Sequence, residues 1–374
     1  PEVIAGNIVG IVGLKDVVAG ETVSSTEMEP FEAITHLFEP VVTKSIEATK
    51  AADLPKLIEI LKQVGKEDPS IRVEINEQTG ESLISGMGEL HLEIIENRIK
   101  SEKGLPVKTS APIIVYRETV GKASEVAEGR SPNKHNSFFI QIEPLEEDIY
   151  NAIKAGDVSE GRVKKKSQAV VDSLSVLGWS GDQIKDVRDI YKGNMFLDET
   201  RGEVHIGEVI EMVLDAFEMV MDQGPLAREP CTKMKVSLID IKLHEDAIHR
   251  GPAQVYPAVR EAIKGAMNKS NPGLLEPVQI HLIEMPDNFL GTATKLIGGK
   301  RGQMINVTQE GTNAAMEAKL PVAEMIGWSN DLRSATEGRG TSSLKNQLFE
   351  KLPTSLQTEI IRKIRDRKGL SENQ

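Results

Sequence analysis

The chain has 374 residues, a net charge of -12 and a pI near 5.3, with one cysteine and only 4% aromatic residues. A chain of this length is too long for one hydrophobic core, so several domains are expected. Because the chain is acidic, it is not expected to bind nucleic acid over its whole surface. Cys231 cannot form an internal disulfide, the apolar runs are too short for a membrane span, and no secretion leader opens the chain. These features predict a cytoplasmic protein with aliphatic cores.

The first segment alternates apolar residues with glycines, which is typical of strands in a small barrel. Residues 3–23 contain stretches such as Ile8-Val9-Gly10-Ile11-Val12. A few strands are too little for independent stability. Residues 1–30 are therefore predicted to be a remnant of a β-barrel.

The next segment has the element order β-α-β-β-α-β. Apolar residues recur at helical spacing in two stretches, and alternating or short apolar runs bounded by turn residues indicate strands. The predicted elements are a strand at 40–46, a helix at 52–65, strands at 71–75 and 82–86 joined by a turn at 78–80, a helix at 87–100 and a strand from 107. This order predicts a ferredoxin-like domain.

The same order recurs near the end of the chain, with little shared sequence. The predicted elements are a strand at 278–284, a helix at 290–298, strands at 302–308 and 313–321, a helix at 322–335 and a strand at 341–349. A second ferredoxin-like domain is therefore expected, so the fold class is α+β with several domains.

The region between these domains, residues 111–272, has a different order of elements. The predicted strands are 113–120, 125–128, 138–142 and 233–243, and the predicted helices are 146–155, 159–177, 207–222 and 255–267. A final amphipathic helix at 355–367 is expected to dock on the body.

Two polar loops in this middle region each place a histidine beside a cation. They are Ser131-Pro132-Asn133-Lys134-His135-Asn136 and Asp246-Ala247-Ile248-His249-Arg250-Gly251. If the strands 125–128 and 138–142 pair, both loops can lie at one tip of the sheet. Their short polar groups and cations suit contacts with phosphate and sugar, although the pattern alone is a weak signal.

Patterns typical of enzymes are weak in this chain. His244 and His249, with Glu245 and Asp246 between them, could suggest metal ligands, but their spacing differs from the i, i+4 pair of a zinc protease helix. The run Gly298–Gly302 lacks the P-loop pattern, and no G-x-S-x-G motif occurs. No catalytic, cofactor or metal site is predicted. A metal-dependent enzyme that uses His244 and His249 is the alternative that metal analysis would test.

The two polar loops and the segment Ile84–Glu93, ISGMGELHLE, resemble the C-terminal half of the archaeal and eukaryotic elongation factor 2 family of ribosomal translocases. The resemblance covers essentially the whole chain. Pro252-Ala253 favours an archaeal member. A free-standing protein that binds the ribosome or another RNA is the alternative in a different class.

The resemblance implies a domain map. Residues 1–30 correspond to the end of the barrel domain II, 34–110 to domain III, 111–272 to domain IV, 273–350 to domain V and 351–374 to a helix that packs on domain IV. Domain IV of the family has a ribosomal-protein-S5-like fold with a left-handed crossover. The expected architecture is therefore two ferredoxin-like βαββαβ domains flanking an S5-like domain.

The resemblance also implies a role in GTP-dependent translocation of tRNA and mRNA on the ribosome. Domain IV would enter the decoding region of the small subunit, and domain V would contact the factor-binding centre of the large subunit. His249 matches the histidine that is converted to diphthamide, so diphthamide-synthesis enzymes and ADP-ribosylating toxins are implied partners. The residues expected at the RNA-contacting tip are Ser131, Pro132, Asn133, Lys134, His135, Asn136, Asp246, Arg250 and Gly251.

The nucleotide-binding motifs of the family do not occur in this chain. GTP and Mg²⁺ are expected on a domain that the chain lacks, so the chain is expected to be a non-enzymatic fragment of a GTPase without a cofactor of its own.

Overall fold

A computed structural model describes residues 2–14, 17, 19–31, 38–75, 82–163, 168–201 and 206–370. The chain divides into two compact units. Unit 1 comprises Pro1–Val115 and Pro277–Leu348, and unit 2 comprises Tyr116–Glu276 and Phe349–Gln374. The turn predicted at 78–80 lies outside the described residues. No helix of the described ranges combines the length and the apolar character that a bilayer crossing requires.

The strands and helices follow each other in chain order. The strands are β1 Val42–Ala48, β2 Arg72–Ile75, β3 Ser82–Gly86, β4 Val107–Thr109, β5 Ile113–Ile114, β6 Arg117–Val120, β7 Ala127–Arg130, β8 Ser137–Pro144, β9 Gly161–Arg162, β10 Val187–Tyr191, β11 Asn194–Asp198, β12 Met234–Lys242, β13 Pro272–Pro286, β14 Gln303–Glu310, β15 Asn313–Pro321 and β16 Thr341–Lys351. The α-helices are α1 Leu54–Glu67, α2 Glu89–Ser101, α3 Glu147–Ala155, α4 Gln168–Val176, α5 Gly181–Asp186, α6 Ile206–Asp222, α7 Pro252–Lys269, α8 Leu290–Gly299, α9 Trp328–Ala335 and α10 Thr354–Arg367.

Unit 1 contains two open sheets with the same strand order. The first sheet runs β2-β3-β1-β4, and the second runs β14-β15-β13-β16. Each is the order of a βαββαβ unit, so both predicted ferredoxin-like domains are confirmed. The helix predicted over 322–335 is shorter than expected, because Gly327 adopts a positive φ of 76° and α9 begins only at Trp328.

The strands predicted for residues 3–23 are absent from the described residues of that segment, so this expectation is wrong there. The described part of residues 2–31 consists of turns and irregular backbone, and side chains such as Ile4, Ile8 and Val12 are exposed. A strand requires a paired neighbour for its backbone N–H and C=O groups. Alternation of apolar residues does not supply that neighbour.

Unit 2 is built on a sheet with the order β7-β8-β12-β11-β10-β9. One apolar cluster joins this sheet to α6 and α7, and it includes Phe138, Ile140 and Phe217. A second cluster joins the sheet to α3, α4 and α5. Successive residues of a strand point to opposite faces, so β11 contributes Phe196 to the first cluster and its neighbours Met195 and Leu197 to the second.

The hairpin of β10 and β11 was not predicted, and the helix expected at 159–177 is shorter than expected. Gly161–Arg162 is a strand that pairs with β10, and α4 covers Gln168–Val176. Residues 164–167 of the predicted helix lie outside the described residues. β11 is buried along its whole length, so its sequence shows no alternation. The signal that could have revealed the hairpin is the turn Lys192-Gly193, where both residues have positive φ.

β7 and α7 approach each other closely at Gly129. A Cβ atom at this position would lie 2.0 Å from the carbonyl oxygen of Ala258 and 2.6 Å from the backbone nitrogen of Ala262. Only glycine permits this approach. β7 leads into the polar loop at 131–136, and α7 follows the polar loop at 246–251. The contact at Gly129 therefore holds these two elements against each other.

The last helix, α10, is held to unit 2 by polar contacts with residues 226–229. Arg365 donates from Nη1 to the carbonyl oxygen of Leu226 at 2.9 Å. Lys368 donates from Nζ to the carbonyl oxygen of Arg228 and pairs with Glu229, both at 2.7 Å. These contacts anchor the end of the helix to the body of the unit.

Candidate functional site

Both polar loops emerge at the same edge of the unit 2 sheet. Loop A, Ser131–Asn136, joins β7 to β8, and loop B, Leu243–Gly251, joins β12 to α7. β8 and β12 are antiparallel, and Ser137 lies opposite Lys242. Since Ser137 begins β8 and Lys242 ends β12, the register places the two loops side by side, as the sequence predicted.

Asn136 links the two loops through its side-chain amide. Its Nδ2 donates to the carbonyl oxygen of His249 at 2.8 Å, and its Oδ1 accepts from the backbone N–H of His244 at 3.1 Å. Asn133 also donates from Nδ2 to the carbonyl oxygen of His249, at 3.4 Å, and its backbone N–H donates to Oε1 of Gln254 at 3.0 Å. Loop B is therefore fastened near both ends by side chains of loop A.

Loop A is shaped by hydrogen bonds within itself. The N–H of Ser131 donates to the carbonyl oxygen of Asn136 at 2.9 Å, and the N–H of Lys134 donates to the carbonyl oxygen of Ser131 at 2.7 Å. Lys134 occupies the left-handed region with φ 62°, and its side chain is exposed. The turn therefore presents the Lys134 ammonium group to solvent.

Three histidines meet where the loops touch. The ring centroids of His244 and His249 are 4.5 Å apart, and the ring of His135 lies 4.9 Å from each of them. His135 is exposed, whereas His244 and His249 are half-buried. The two pairs that include His244 are edge-to-face, and the pair of His135 and His249 is tilted. Aromatic rings favour such arrangements, and the imidazole of His249 contacts both other rings.

The outer turn of loop B is a short 3-10 turn, Ala247–His249. Asp246 precedes it and accepts the N–H of Ile248 at 3.0 Å through Oδ1, as a capping side chain does. Ile248 is 79% exposed at the top of the turn. Gly251 then caps α7, and Pro252 takes the first helical position as the sequence predicted.

Three of the residues expected at the RNA-contacting tip are buried. Ser131, Asn136 and Arg250 are 1%, 0% and 5% exposed. Arg250 pairs through Nη2 with Glu208 at 2.9 Å and donates to the carbonyl oxygen of Glu245. Most buried polar groups are used in hydrogen bonds within the protein, so these side chains hold the loops in position, although Nε and Nη1 of Arg250 have no hydrogen-bonding partner among the described residues.

The surface formed by loops A and B is called the tip. Its exposed members are Pro132, Lys134, His135 and Asp246, and Asn133, His249 and Gly251 are half-buried beside them. Two further residues belong to the tip although the sequence did not point to them as contacts. Ile248 projects from the turn, and His244 completes the ring cluster. The sequence signal for His244 was its position directly after the strand that delivers loop B.

The alternative of metal ligands at His244 and His249 depends on the groups arranged around them. Within the described ranges, no group of three or more His, Cys, Asp and Glu side chains is arranged to hold a metal ion. Nδ1 of His244 accepts the N–H of Asp246 at 3.1 Å, so one ring nitrogen already has a hydrogen-bonding partner. The arrangement is better suited to contacts between imidazole rings, an ammonium group and an external polar surface.

Comparison with known proteins gives three family matches along the chain. Residues 37–111 match elongation factor G, domain III, residues 156–271 match elongation factor G, domain IV, and residues 273–360 match the elongation factor G C-terminus. None of these three is a nucleotide-binding domain.

Curated relatives match almost the entire chain. Elongation factor 2 of Methanosphaera stadtmanae is 50% identical over 98% of this chain and 50% of its own length. The elongation factor 2 proteins of Pyrococcus horikoshii and Thermococcus sibiricus are each 49% identical over 99% of this chain and 50% of their own lengths. The chain thus spans about half the length of the curated relatives it matches.

Proposed function

Because the chain belongs to the elongation factor 2 family, as the counterpart of the C-terminal half of its members, we propose that it forms the arm of a translation elongation factor. In this proposal, the arm acts in the GTP-dependent translocation of tRNA and mRNA on the ribosome. The tip formed by loops A and B enters the decoding region of the small subunit. The C-terminal ferredoxin-like domain contacts the factor-binding centre of the large subunit.

The observation that carries the proposal is the convergence of two separate loops on one fixed surface. Lys134 offers an exposed ammonium group, and the rings of His135, His244 and His249 lie in mutual contact beside it. Cations and short polar side chains of this kind bind phosphate and sugar groups. An acidic chain with such a local spot can contact RNA and then release it, since few phosphates are neutralised.

The packing of unit 2 supports a mechanical role. Apolar clusters cover both faces of its sheet, and close-packed elements move as bodies without deforming. A rigid support transmits a displacement to the tip. The tip would then prevent the codon–anticodon helix from slipping back while tRNA and mRNA move.

His249 is the proposed site of conversion to diphthamide. Its ring is half-buried at the surface, and its carbonyl oxygen is fastened by Asn133 and Asn136. The modification adds a quaternary ammonium group, which would strengthen contacts with anionic RNA. Diphthamide-synthesis enzymes and ADP-ribosylating toxins are the further partners in this proposal.

Hydrolysis of GTP would be carried out by a part of the whole protein outside this chain, where GTP and Mg²⁺ would bind. The chain itself would therefore contribute positioning and no catalytic group. The absence of a metal-ligand cluster among the described residues disfavours the metal-dependent enzyme, and the identity with elongation factor 2 disfavours a free-standing RNA-binding protein.

The test replaces the C-terminal half of the Pyrococcus horikoshii relative by this chain and measures translocation and reading-frame maintenance.

His249→Ala is expected to raise frame slippage several-fold with a smaller loss of ribosome affinity, and Lys134→Ala is expected to slow translocation. Lys269→Ala is the matched control, because Lys269 is exposed at the other end of α7, about 25 Å away at 1.5 Å per residue. Equal effects of Lys134→Ala and Lys269→Ala, with unchanged slippage in His249→Ala, would refute the proposed role of the tip.

The modification has a separate test. The peptide that contains His249, isolated from the native source, should carry the mass of diphthamide, whereas the peptide of a bacterially produced chain should not. An unmodified peptide from the native source would exclude His249 as the modified residue.

A further inference from the structure

We propose that Asn136 is the positioning residue of the tip and that it fixes His249 only because its side chain is an amide. The consequence for translation rests on the proposed function, whereas the positioning itself can be tested without a ribosome. Neither the family matches nor the relatives assign a role to this residue.

Two opposite hydrogen-bonding groups of loop B converge on the Asn136 side chain. The backbone N–H of His244 requires an acceptor, and the carbonyl oxygen of His249 requires a donor. An amide carries an acceptor oxygen and a donor nitrogen on one carbon atom. In this structure, Oδ1 lies 3.1 Å from the nitrogen of His244, and Nδ2 lies 2.8 Å from the carbonyl oxygen of His249. Asn136 therefore binds both ends of the loop between these two histidines, while Asn133 is a second, longer donor to the His249 carbonyl at 3.4 Å and does not reach His244.

Ser131 fixes the orientation of the amide. Its Oγ accepts from Nδ2 of Asn136 at 3.3 Å and from the backbone N–H of Asn136 at 2.9 Å, and it donates to Oδ1 of Asn133 at 2.5 Å. A flipped amide would turn its NH₂ group towards the N–H of His244 and its oxygen towards the carbonyl of His249. Both contacts would be repulsive, so the network admits one orientation.

Burial makes the amide essential to the arrangement. Asn136 is 0% exposed, so water cannot replace a lost partner. An ionised carboxylate at this position could accept from His244, but it would also face the carbonyl oxygen of His249 and repel it. A protonated carboxyl group, in contrast, has one O–H donor and one acceptor oxygen and can satisfy both groups.

Asn136→Asp therefore gives a pH-dependent test, with Asn136→Ala as its matched control. The titratable and charged groups around this position are His135, His244, His249 and Asp246 in the two loops, with Glu245, Arg250 and Glu208 behind them. These groups are the same in the parent chain and in both variants. The comparison between Asn136→Asp and Asn136→Ala isolates the carboxyl group at position 136.

The measurement is amide hydrogen exchange at His244, expressed as a protection factor, together with ring-to-ring nuclear Overhauser effects between His135 and His249. At pH 8, both variants are expected to lose at least tenfold in protection and to lose the ring contact. At pH 5, Asn136→Asp is expected to recover most of the protection, whereas Asn136→Ala is not. Lys134→Ala, on the exposed side of loop A, should retain parental protection at both pH values.

The outcomes separate the positioning role from the proposed function. Parental protection in Asn136→Asp at pH 8, or equal behaviour of the two variants at pH 5, overturns the positioning role. Ser131→Ala provides a second route if the position 136 variants do not fold, because it removes only the support of the amide and should lower protection at His244. Unchanged protection in that variant also overturns the proposal.

The same substitutions in the chimeric translocase test the functional consequence. Frame slippage in Asn136→Asp should rise towards the level of His249→Ala. A loosened loop with unchanged slippage would refute the proposed function of the tip and leave the positioning role of Asn136 standing.

Discussion

At the scale of single residues, the tip contains two kinds of side chain: buried ones that hold the loops in position and exposed ones that face the solvent. Asn136, Ser131 and Arg250 are buried and bonded within the protein, whereas Lys134 and Ile248 project from the two turns. The holding residues are polar, so their sequence looks like that of a contact surface. Their role follows from the partners they meet, because most buried polar groups find their partners inside the protein.

Asp189 on β10 is a buried carboxylate outside the tip. It is 1% exposed, and neither of its carboxylate oxygens has a hydrogen-bonding partner in the described part of the chain. Burial, with the nearby Glu218 as the second cause, raises the pKa of Asp189 from 3.8 to about 7, while Arg162 acts in the opposite direction. The charged form is therefore disfavoured in the folded state.

Asp189→Asn is expected to stabilise unit 2 at alkaline pH. Because the folded-state pKa of Asp189 is raised, its contribution to the free energy of unfolding is fully present below the unfolded pKa near 3.8. This contribution is lost as the pH rises through about 7. The gain in free energy of unfolding should therefore be larger at pH 8 than at pH 5, by about 1–3 kcal/mol. Denaturant titrations at both pH values check this. Asp148→Asn, at an exposed position on α3, is the control, and an equal gain at both pH values would contradict the prediction.

At the scale of elements, the relation between β7 and α7 decides where the two loops meet. β7 leads directly into loop A, and α7 begins directly after loop B. The backbones approach at Gly129 so closely that a side chain there would collide with the helix backbone. The pairing register of β8 and β12 then places the end of loop A beside the start of loop B.

Two glycine-to-alanine substitutions at this contact are expected to have opposite effects. Gly129→Ala should lower the free energy of unfolding by roughly 3 kcal/mol, because backbone must move to admit the Cβ atom. Gly265→Ala within α7 should raise it by about 0.5–1 kcal/mol, because alanine favours the helix. The new Cβ atom there lies 3.6 Å from that of Ala127, which is ordinary contact. Thermal and denaturant unfolding of both variants measure the difference, and a neutral Gly129→Ala would contradict the close approach.

At the scale of the whole molecule, each compact unit is assembled from two separate stretches of the chain. Unit 2 contains all members of both apolar clusters that cover its sheet. Its second stretch returns beside the first, since the N–H of Leu352 donates to the carbonyl oxygen of Leu274 at 2.9 Å. Both apolar clusters of unit 2 are thus contained within it.

Unit 2 is expected to fold alone when residue 276 is joined to residue 349 by a short Gly-Ser linker. Strands β13 and β16 are neighbours at this point, so a few residues can bridge the gap. The excised unit should unfold in one cooperative thermal transition and retain the ring contact between His135 and His249. Circular dichroism and nuclear magnetic resonance spectra check these outcomes. A non-cooperative transition, under conditions where the full chain unfolds cooperatively, would contradict the prediction.

The sequence by itself determined the element order of both βαββαβ units and the meeting of the two polar loops, because these depend on periodicity and on short motifs. The bounds of β3 and β15 were predicted to the residue. The family also followed from the sequence, since the two loop motifs are specific. Periodicity is a local property, so it can be read without knowing which segments are neighbours.

Only the tertiary structure decided which tip residues are buried and which strands form. Nothing in the sequence distinguishes Asn136 from Asn133, yet one is enclosed and joins both ends of loop B. The strands expected in residues 3–23 do not form in the described part of that segment, whereas the unpredicted β10 and β11 do. The physical reason is the same in both cases: burial and strand pairing depend on the groups that another segment brings to the site, and a local pattern does not contain those groups.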